Sequence, residues 1–174
     1  MHDIRYTNGI ILSPPTTKKL FLPQTIEIKS LKGQENQGKI CGYGSIFDPI
    51  DSQNDRVVRG AFEKTLAKIK SKGAYPKMLW QHNQTQPIGI WTKMEEDSQG
   101  LYVEGNLLLD LQQGQEAYHL VKSGGIDGLS IGYQVCKALK GKESGVRLLT
   151  ELELFEVSLV TFAANPKARI THLI

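Results

Sequence analysis

The sequence predicts a mostly β fold of the α+β class, an antiparallel barrel or barrel-like sheet flanked by a few helices. About seven segments have strand-like patterns and two have helical ones, and most links between them are of hairpin length. No regular β-α-β alternation is present, which argues against a doubly wound parallel sheet. Seventeen glycines and an aromatic content of 7% fit a turn-rich β protein.

The length and composition predict one domain after a short lead-in. The chain has 174 residues, of which 40% are hydrophobic and 22% charged. At this length folding buries about 70% of the surface of the unfolded chain, enough for a core without metals or disulfides. Turn residues such as Asn8-Gly9 and Pro14-Pro15 interrupt residues 1–23, so we expect a flexible lead-in there and a single domain over residues 24–174.

The first half predicts two paired strands, a loop and a helix. Alternating apolar residues indicate strands at residues 25–32 and 39–47, which we expect to form a hairpin. Residues 48–55 form a polar loop. A helix follows because apolar residues recur on one helical face, with Gly60 before them and Gly73 after them. These apolar residues are Ala61, Phe62, Leu66 and Ile69.

The second half predicts five more strands and a second helix. Residues 77–81, 88–94 and 101–109 have strand patterns, and residues 83–87 between the first two read as a polar turn. Residues 116–121 fit a short amphipathic helix that ends at Gly124-Gly125. Strands at residues 129–135 and 147–162, joined by a turn near Gly141, complete the fold.

Charge and hydropathy exclude several functional classes. The net charge is only +3, and the densest basic stretch, Lys64 to Lys77, falls mostly on the predicted surface helix. Tyr75 and Trp80 are the only aromatic residues near it, so we expect no nucleic-acid partner. No apolar run approaches the roughly 18 residues of a membrane span, and no basic-then-apolar leader opens the chain. Cys41 and Cys136 have no metal or redox spacing, which predicts reduced thiols in a cytosolic protein.

The segment Gly128-Leu-Ser-Ile-Gly132 is the most informative motif. Two glycines flanking Ser130 leave its hydroxyl open to attack a substrate. The pattern matches the nucleophile elbow of α/β-hydrolases, and Glu156 and His172 could complete the residue order of that family. However, the residues after Ser130 alternate as a strand, and the chain lacks the βα units of that fold. A tight corner without catalytic function is the alternative interpretation.

His82 is the best placed candidate for a general base. It ends a predicted strand beside a polar turn, where an imidazole is anchored yet reachable. A histidine base needs a third group to orient it, and the last long strand offers Glu151, Glu153 and Glu156. Glu153 and Glu156 have opposite parity on a regular strand, so both cannot face one site. The alternation alone does not choose between them.

The acidic loop favours a structural role. Asp48, Asp51 and Asp55 could bind a cation, but the glycine of a calcium loop is missing, so turn-stabilising contacts are the preferred interpretation. No histidine or cysteine stands at zinc-ligand spacing. The sequence therefore predicts neither a metal nor a cofactor.

Several motifs together resemble a known family. Their order and spacing are similar to those of the prohead proteases of tailed bacteriophages, typified by phage HK97, and distantly to the herpesvirus assembly protease, assemblin. The resemblance covers residues 42–170. The motifs are Gly42-Tyr-Gly-Ser-Ile-Phe-Asp48, Asp55 with Gly60-Ala-Phe62, Met78-Leu-Trp-Gln-His-Asn83 with Pro87-Ile-Gly89, Gly128-Leu-Ser-Ile-Gly-Tyr133, and Glu156-Val-Ser-Leu-Val-Thr161 ending in Ala164-Asn-Pro166.

The resemblance implies an assemblin-like β-barrel and a serine endopeptidase. In it, Ser130 is the nucleophile, His82 the base and Glu156 the third member, with Glu153 as the alternative. Backbone amides near Gly132 or Ala164-Asn165 would bind the oxyanion. No cofactor follows.

The family also implies substrates and a place of action. The substrates would be the scaffold segment of the major capsid protein and the protease itself, cleaved inside the assembling prohead in the host cytoplasm. Self-association is possible by analogy with the herpesvirus enzymes, and no membrane partner is implied. Two alternatives stay open: a catalytically silent capsid-assembly binding module, and an esterase that acts on small molecules.

Overall fold

The structure, a computed structural model, describes residues 4–5, 27–28, 38–143 and 145–174. This part of the chain is mostly β, with two helices, α1 (Glu63–Lys72) and α2 (Gln112–Lys122). The strands are β1 (Ile4–Arg5), β2 (Glu27–Ile28), β3 (Lys39–Ile46), β4 (Asp55–Val57), β5 (Lys77–Trp80), β6 (Asn83–Glu96), β7 (Gly100–Leu107), β8 (Gly128–Lys140), β9 (Arg147–Val160) and β10 (Ile170–Leu173).

All described strands belong to one mixed sheet. Its order is β1-β8-β9-β5-β6-β7-β3-β10-β2, and β4 pairs with β9 away from this path. Most neighbours are antiparallel, as expected, but β4 and β5 run parallel to β9, and β2 runs parallel to β10. The long strand β9 therefore lies between β8 and β5. This arrangement brings together residues that are distant in sequence.

The predicted barrel is not confirmed, because the pairings of the described residues do not close the sheet. The start of β8 and the residues just before β10, which lie far apart in the strand order, do approach each other. Gly128 and Arg169 form an isolated bridge, and the Leu129 amide donates to the Ala168 carbonyl at 3.1 Å. The contact stays local because β10 begins only at Ile170, where it pairs with β3 instead of β8.

The helices and most strands lie where the sequence predicts them. Helix α1 ends at Gly73, whose φ of 65° is the left-handed conformation that closes many helices. The polar turn predicted at residues 83–87 is wrong, because β6 already begins at Asn83. The short strands β4 and β10 were not predicted. Each has four residues or fewer, too short for a recognisable alternation.

The predicted hairpin between residues 25–32 and 39–47 is also wrong. The described part of the first segment, β2, pairs with β10, and β10 separates it from β3. The pairing of these segments with a strand from the end of the chain cannot be predicted from local sequence. The lead-in predicted at residues 1–23 lies outside the described residues, except for β1, which pairs with β8.

One apolar cluster packs against the sheet. In β8 and β9 it contains Leu129, Ile131, Val157 and Leu159, all of them buried. The residues between them in sequence, including Ser130 and Ser158, face the opposite side of each strand. Among the described helices, none is long and apolar enough to cross a bilayer.

Candidate active site

The pairing of β9 with β8 and β5 places the candidate residues opposite one another. Ser158 of β9 is paired with Ser130 of β8 on one side and with Leu79 of β5 on the other. Two residues earlier on β9, Glu156 is paired with Gly132. Alternate residues of a strand share a face, so Ser130, Ser158 and Glu156 lie on the same side of the sheet.

His82 reaches this face from a tight turn between β5 and β6. Trp80 pairs with Asn83, so Gln81 and His82 form a two-residue hairpin loop. Both have positive φ, 51° and 62°, as two-residue turns of this kind require. Neither is glycine or asparagine, which usually occupy such positions, so the turn is strained. His82 is therefore a turn residue, and not simply the last residue of a strand.

Hydrogen bonds from β9 and the residue after it hold the turn in place. The Gln81 amide donates to the Leu159 carbonyl at 2.9 Å. The Gln81 side chain donates to Oγ1 of Thr161 at 2.9 Å and accepts from the Thr161 amide at 3.2 Å. The His82 amide donates to Oγ of Ser158 at 3.1 Å. Such contacts allow a strained backbone to persist.

His82, Glu156 and Ser158 form a buried hydrogen-bonded network. Nδ1 of His82 lies 2.6 Å from Oε1 of Glu156. The other carboxylate oxygen, Oε2, accepts a hydrogen bond from the Ser158 hydroxyl at 2.6 Å. The His82 and Glu156 side chains are only 2% and 4% exposed. A carboxylate removed from water needs partners for both oxygens, and here it has them.

Exposure and pairing partners, and not strand parity, separate Glu156 from Glu153. Gly132 pairs with Glu156 but the next residue of β8 pairs with Leu154, so Phe155 is an extra residue on β9. The parity argument from the sequence holds only for a regular strand and therefore does not apply at this bulge. Even so, Glu153 lies two pairs further along, opposite Gln134, and is bonded to Lys68 of α1 and 38% exposed. The geometry brings Glu156, and not Glu153, to the imidazole.

Gly132 makes room for the Glu156 carboxylate. A Cβ at this position would lie 2.8 Å from the carboxyl carbon of Glu156 and closer still to Oε1, nearer than real Cβ atoms approach other groups. The Leu129 amide points away from β9, toward Ala168, so alternation directs the amides of Ser130 and Gly132 at β9. The predicted use of the Gly132 amide as an oxyanion donor is thus not supported.

Ser130 lines a pocket together with the other two predicted substrate-binding residues, Ala164 and Asn165. The Asn165 side chain donates to the Ile46 carbonyl at 2.8 Å, and the Ala164 carbonyl accepts from the Ser52 amide at 3.2 Å. These bonds fix the pocket wall.

The acidic loop forms part of the same wall, and two of its carboxylates have structural partners. Oδ1 of Asp51 accepts from the amides of Gln53 and Asp55 at 2.8 and 2.9 Å, which confirms a turn-stabilising role. Burial is the largest influence on the pKa of Asp51 and raises it. Asp55 is buried and binds Arg147, whose Nε donates to it at 2.7 Å.

Comparisons with known proteins identify the family. The sequence profile of the caudovirus prohead serine proteases matches residues 24–173. The chain is 33% identical over 162 residues to the prohead protease of Enterobacteria phage HK97, covering 92% of this chain and 70% of that protein. It is 26% identical over 140 residues to the prohead protease of Escherichia phage T5, covering 79% and 65%. The chain belongs to the caudovirus prohead serine protease family.

Two further matches extend this comparison. The chain is 37% identical over 160 residues to the capsid polyprotein of Pseudomonas phage PAJU2, covering 86% of this chain but only 22% of that protein. The structure of the bacteriophage T4 capsid assembly protease matches with a TM-score of 0.58 at 14% identity, over 70% of this chain and 80% of that one. The T4 match supports the fold. Family membership makes this chain a serine peptidase of phage capsid maturation.

Other reactive side chains of the prohead protease lie outside the site. His119 is exposed on α2, and His172 of β10 contacts Thr171. His2 lies outside the described residues. Cys41 and Cys136 are free thiols, as expected. Within the described ranges, no group of three or more histidine, cysteine or acidic side chains is placed to bind a metal ion.

The sequence analysis missed three residues that shape the site, namely Ser158, Gln81 and Thr161. Ser158 shares a strand face with Glu156, and this alternation in Glu-Val-Ser was the available signal. The clamp between Gln81 and Thr161 had no signal in the sequence, because 80 positions separate the two residues.

Proposed function

We propose that Ser130, His82 and Glu156 form the catalytic triad of this prohead protease, and that it cleaves the scaffold segment of the capsid precursor, and itself, inside the prohead. The buried contact of 2.6 Å between His82 Nδ1 and Glu156 Oε1 carries the proposal. It lies on the sheet face that also holds Ser130, the only serine of the glycine-flanked motif. A nucleophile, a base and an orienting acid are the groups that acyl transfer needs.

The reaction proceeds by acylation and deacylation. Ser130 Oγ attacks the scissile carbonyl carbon while its proton passes to Nε2 of His82. The protonated imidazole then gives this proton to the leaving amine as the peptide C–N bond breaks. Water, deprotonated by His82, then attacks the acyl-enzyme. As the bond between Ser130 Oγ and the acyl carbon breaks, His82 returns the proton to Ser130 Oγ, and the carboxylic acid leaves. Glu156 orients the ring and stabilises its charge throughout.

The oxyanion would be bound by backbone amides beside the pocket. Because the Ser130 amide points to β9, the amide of the next residue, Ile131, points to the opposite side of β8. Ile131 lines the same pocket as Ser130, Ala164 and Asn165. We therefore assign the Ile131 amide to the oxyanion in place of Gly132, with the amides of Ala164 and Asn165 as further candidates. One such donor contributes about 3–4 kcal/mol to transition-state stabilisation.

Two observations support a protein substrate. A segment similar to this chain forms part of a longer phage chain named as a capsid polyprotein, which links the protease to capsid protein. In addition, β1 of this chain pairs with β8 at Tyr133 and Gln134, near Ser130. The edge of the strand that carries the nucleophile thus accepts an extended segment, as peptide-binding sheet edges do. Self-cleavage is consistent with an edge that accepts a segment of the same chain.

Coexpression with the cognate capsid precursor tests the proposal. We expect wild-type protease to shorten the precursor and Ser130→Ala to leave it intact. Ser45→Ala is the matched control, since Ser45 is equally buried in a strand but lies outside the network. A fluorophosphonate probe should label wild type and Ser45→Ala, but not Ser130→Ala.

Three outcomes would contradict this assignment. Identical band patterns for wild type and Ser130→Ala would favour a catalytically silent assembly module. Turnover of p-nitrophenyl esters with an intact precursor would favour an esterase. Cleavage by a Ser130→Ala protease would place the nucleophile elsewhere.

A further inference from the structure

The Ser158 hydroxyl occupies the centre of the site, although triad chemistry gives it no role. Ser158 is completely buried, and it lies opposite Ser130 in the β8–β9 register. Its oxygen contacts both the backbone of His82, at 3.1 Å, and Oε2 of Glu156, at 2.6 Å. One hydroxyl therefore joins the turn that carries the base to the carboxylate that orients it.

The direction of each hydrogen bond follows from the donors available. A backbone N–H can only donate, so the Ser158 oxygen is the acceptor of the bond from His82. Its own proton is then directed to Oε2 of Glu156. Oε1 is left to accept the proton of His82 Nδ1, and the lone pair of the ring lies on Nε2. This is the tautomer that a general base needs.

The same hydroxyl supports a strained backbone. Gln81 and His82 have left-handed conformations that their residue types rarely adopt, and the amide held by Ser158 belongs to this turn. The side-chain clamp from Gln81 to Thr161 fixes the first turn residue. Ser158 fixes the second, which is the residue whose ring position matters for proton transfer.

We propose that Ser158 is a positioning residue of this protease: its hydroxyl fixes the Glu156 carboxylate and the His82 backbone together, and so holds the imidazole ready to receive the Ser130 proton. The proposal rests on the proposed function of the triad. It differs from a purely structural role, in which the hydroxyl would stabilise the fold and leave the rate at each folded site unchanged.

Ser158→Ala tests this with Ser45→Ala as the matched control. Within the described residues, the Ser45 hydroxyl is buried and has no hydrogen-bond partner, so its removal deletes the same atom from a strand without breaking a bond. The substrate is a fluorogenic peptide that spans the site at which wild type cuts the precursor. Rates are divided by the active-site concentration from fluorophosphonate titration, which removes any effect of misfolded protein.

For Ser158→Ala we expect kcat to fall by about 10- to 100-fold, because small misplacements of catalytic groups reduce rates by about this factor. KM should stay within about 2-fold, because the ground-state contacts to substrate are unchanged. In ¹⁵N-histidine-labelled protein, the downfield Nδ1–H resonance of His82 should shift or broaden. Both properties should be unchanged in Ser45→Ala.

A second variant keeps the test decisive if the alanine protein does not fold. Ser158→Cys preserves shape but supplies a weaker donor and acceptor, so its kcat should lie below that of wild type, again at constant KM. A wild-type kcat in either folded Ser158 variant would overturn the positioning proposal. If wild type itself neither cleaves the precursor nor reacts with the probe, the proposed function fails instead.

Discussion

The two ends of the β8–β9 hairpin use polar side chains in opposite ways. At one end Gly128 to Gly132 faces Glu156 to Val160, every residue is buried, and Ser158 donates a hydrogen bond to Glu156. At the other end the last residues of β8 are exposed, with Leu139 at 62%, and the polar groups form surface ion pairs. One of these pairs joins Lys137 and Glu151 at 3.2 Å.

The difference shows that burial, and not strand pairing, decides what a polar side chain contributes. Exposed ion pairs are screened by water and are worth about 0–1 kcal/mol each. Breaking a buried pair costs about 3–5 kcal/mol, because the remaining charge stays buried without a partner and without solvation. Substitutions at the buried end should therefore change the chemistry, whereas those at the exposed end should change little.

Replacing Glu156 by glutamine should have the largest effect. The change keeps the shape of the side chain but removes the charge that fixes the ring tautomer and stabilises the imidazolium. Loss of this group lowers kcat of serine proteases by about 10⁴-fold, and we expect a fall of about 10³- to 10⁴-fold here. The measurement is the cleavage rate of the fluorogenic peptide per titrated active site. A fall of less than tenfold would remove Glu156 from the triad.

Gly132→Ala should have the next largest effect, because the new methyl group would occupy the space of the Glu156 carboxylate. We expect activity to fall by about 10²-fold as the carboxylate is displaced from His82. Gly125→Ala is the control, since the nearest atom to its new methyl group would be the side-chain end of Leu120, 3.2 Å away, and its other neighbours would lie at ordinary contact distances of 3.4 and 3.6 Å. Equal activities of the two variants would contradict the packing argument, and ¹⁵N-histidine spectra would show whether the His82 ring has moved.

Glu153→Gln should have the smallest effect and sharpens the contrast with Glu156. The same chemical change three residues earlier breaks only the surface pair with Lys68. The free energy of unfolding should change by less than about 1 kcal/mol, and kcat should match wild type. Urea unfolding and the peptide assay measure the two quantities. A loss of activity close to that of Glu156→Gln would mean that burial does not separate the two glutamates.

Local pattern predicted the main elements of the fold well. Helix α1 and its glycine end, and the cores of the longer strands, follow from periodicity over many residues. The misses have three causes: a pairing with a distant strand, a turn shorter than expected, and strands too short for a recognisable alternation. Strand β10 separates β2 from β3, and β6 begins at Asn83 because β5 pairs back with it through the two-residue turn.

The sequence could predict the candidate residues of the site, but not the contacts between them. Ser130 and His82 stood out through their neighbours in sequence, and the resemblance to the phage family favoured Glu156. The bulge at Phe155 could not be predicted, because it exists only in the register between β8 and β9. Because of this bulge, strand alternation does not separate Glu153 from Glu156. Glu153 instead binds Lys68 at the surface, which leaves Glu156 as the glutamate that contacts His82.

The sequence by itself determined the class of protein: a mostly β serine peptidase with a glycine-flanked candidate nucleophile and a candidate base. The strand content depends on local patterns, and the peptidase class on the order and spacing of several short motifs along residues 42–170, all of which can be read without the structure. Only the tertiary structure decided which glutamate contacts His82, that Gly132 leaves room for its carboxylate, and that Ser158 bonds to both Glu156 and the His82 backbone. These properties depend on β9 lying between β8 and β5, and hydrogen bonds over such distances in sequence form only once the sheet is assembled.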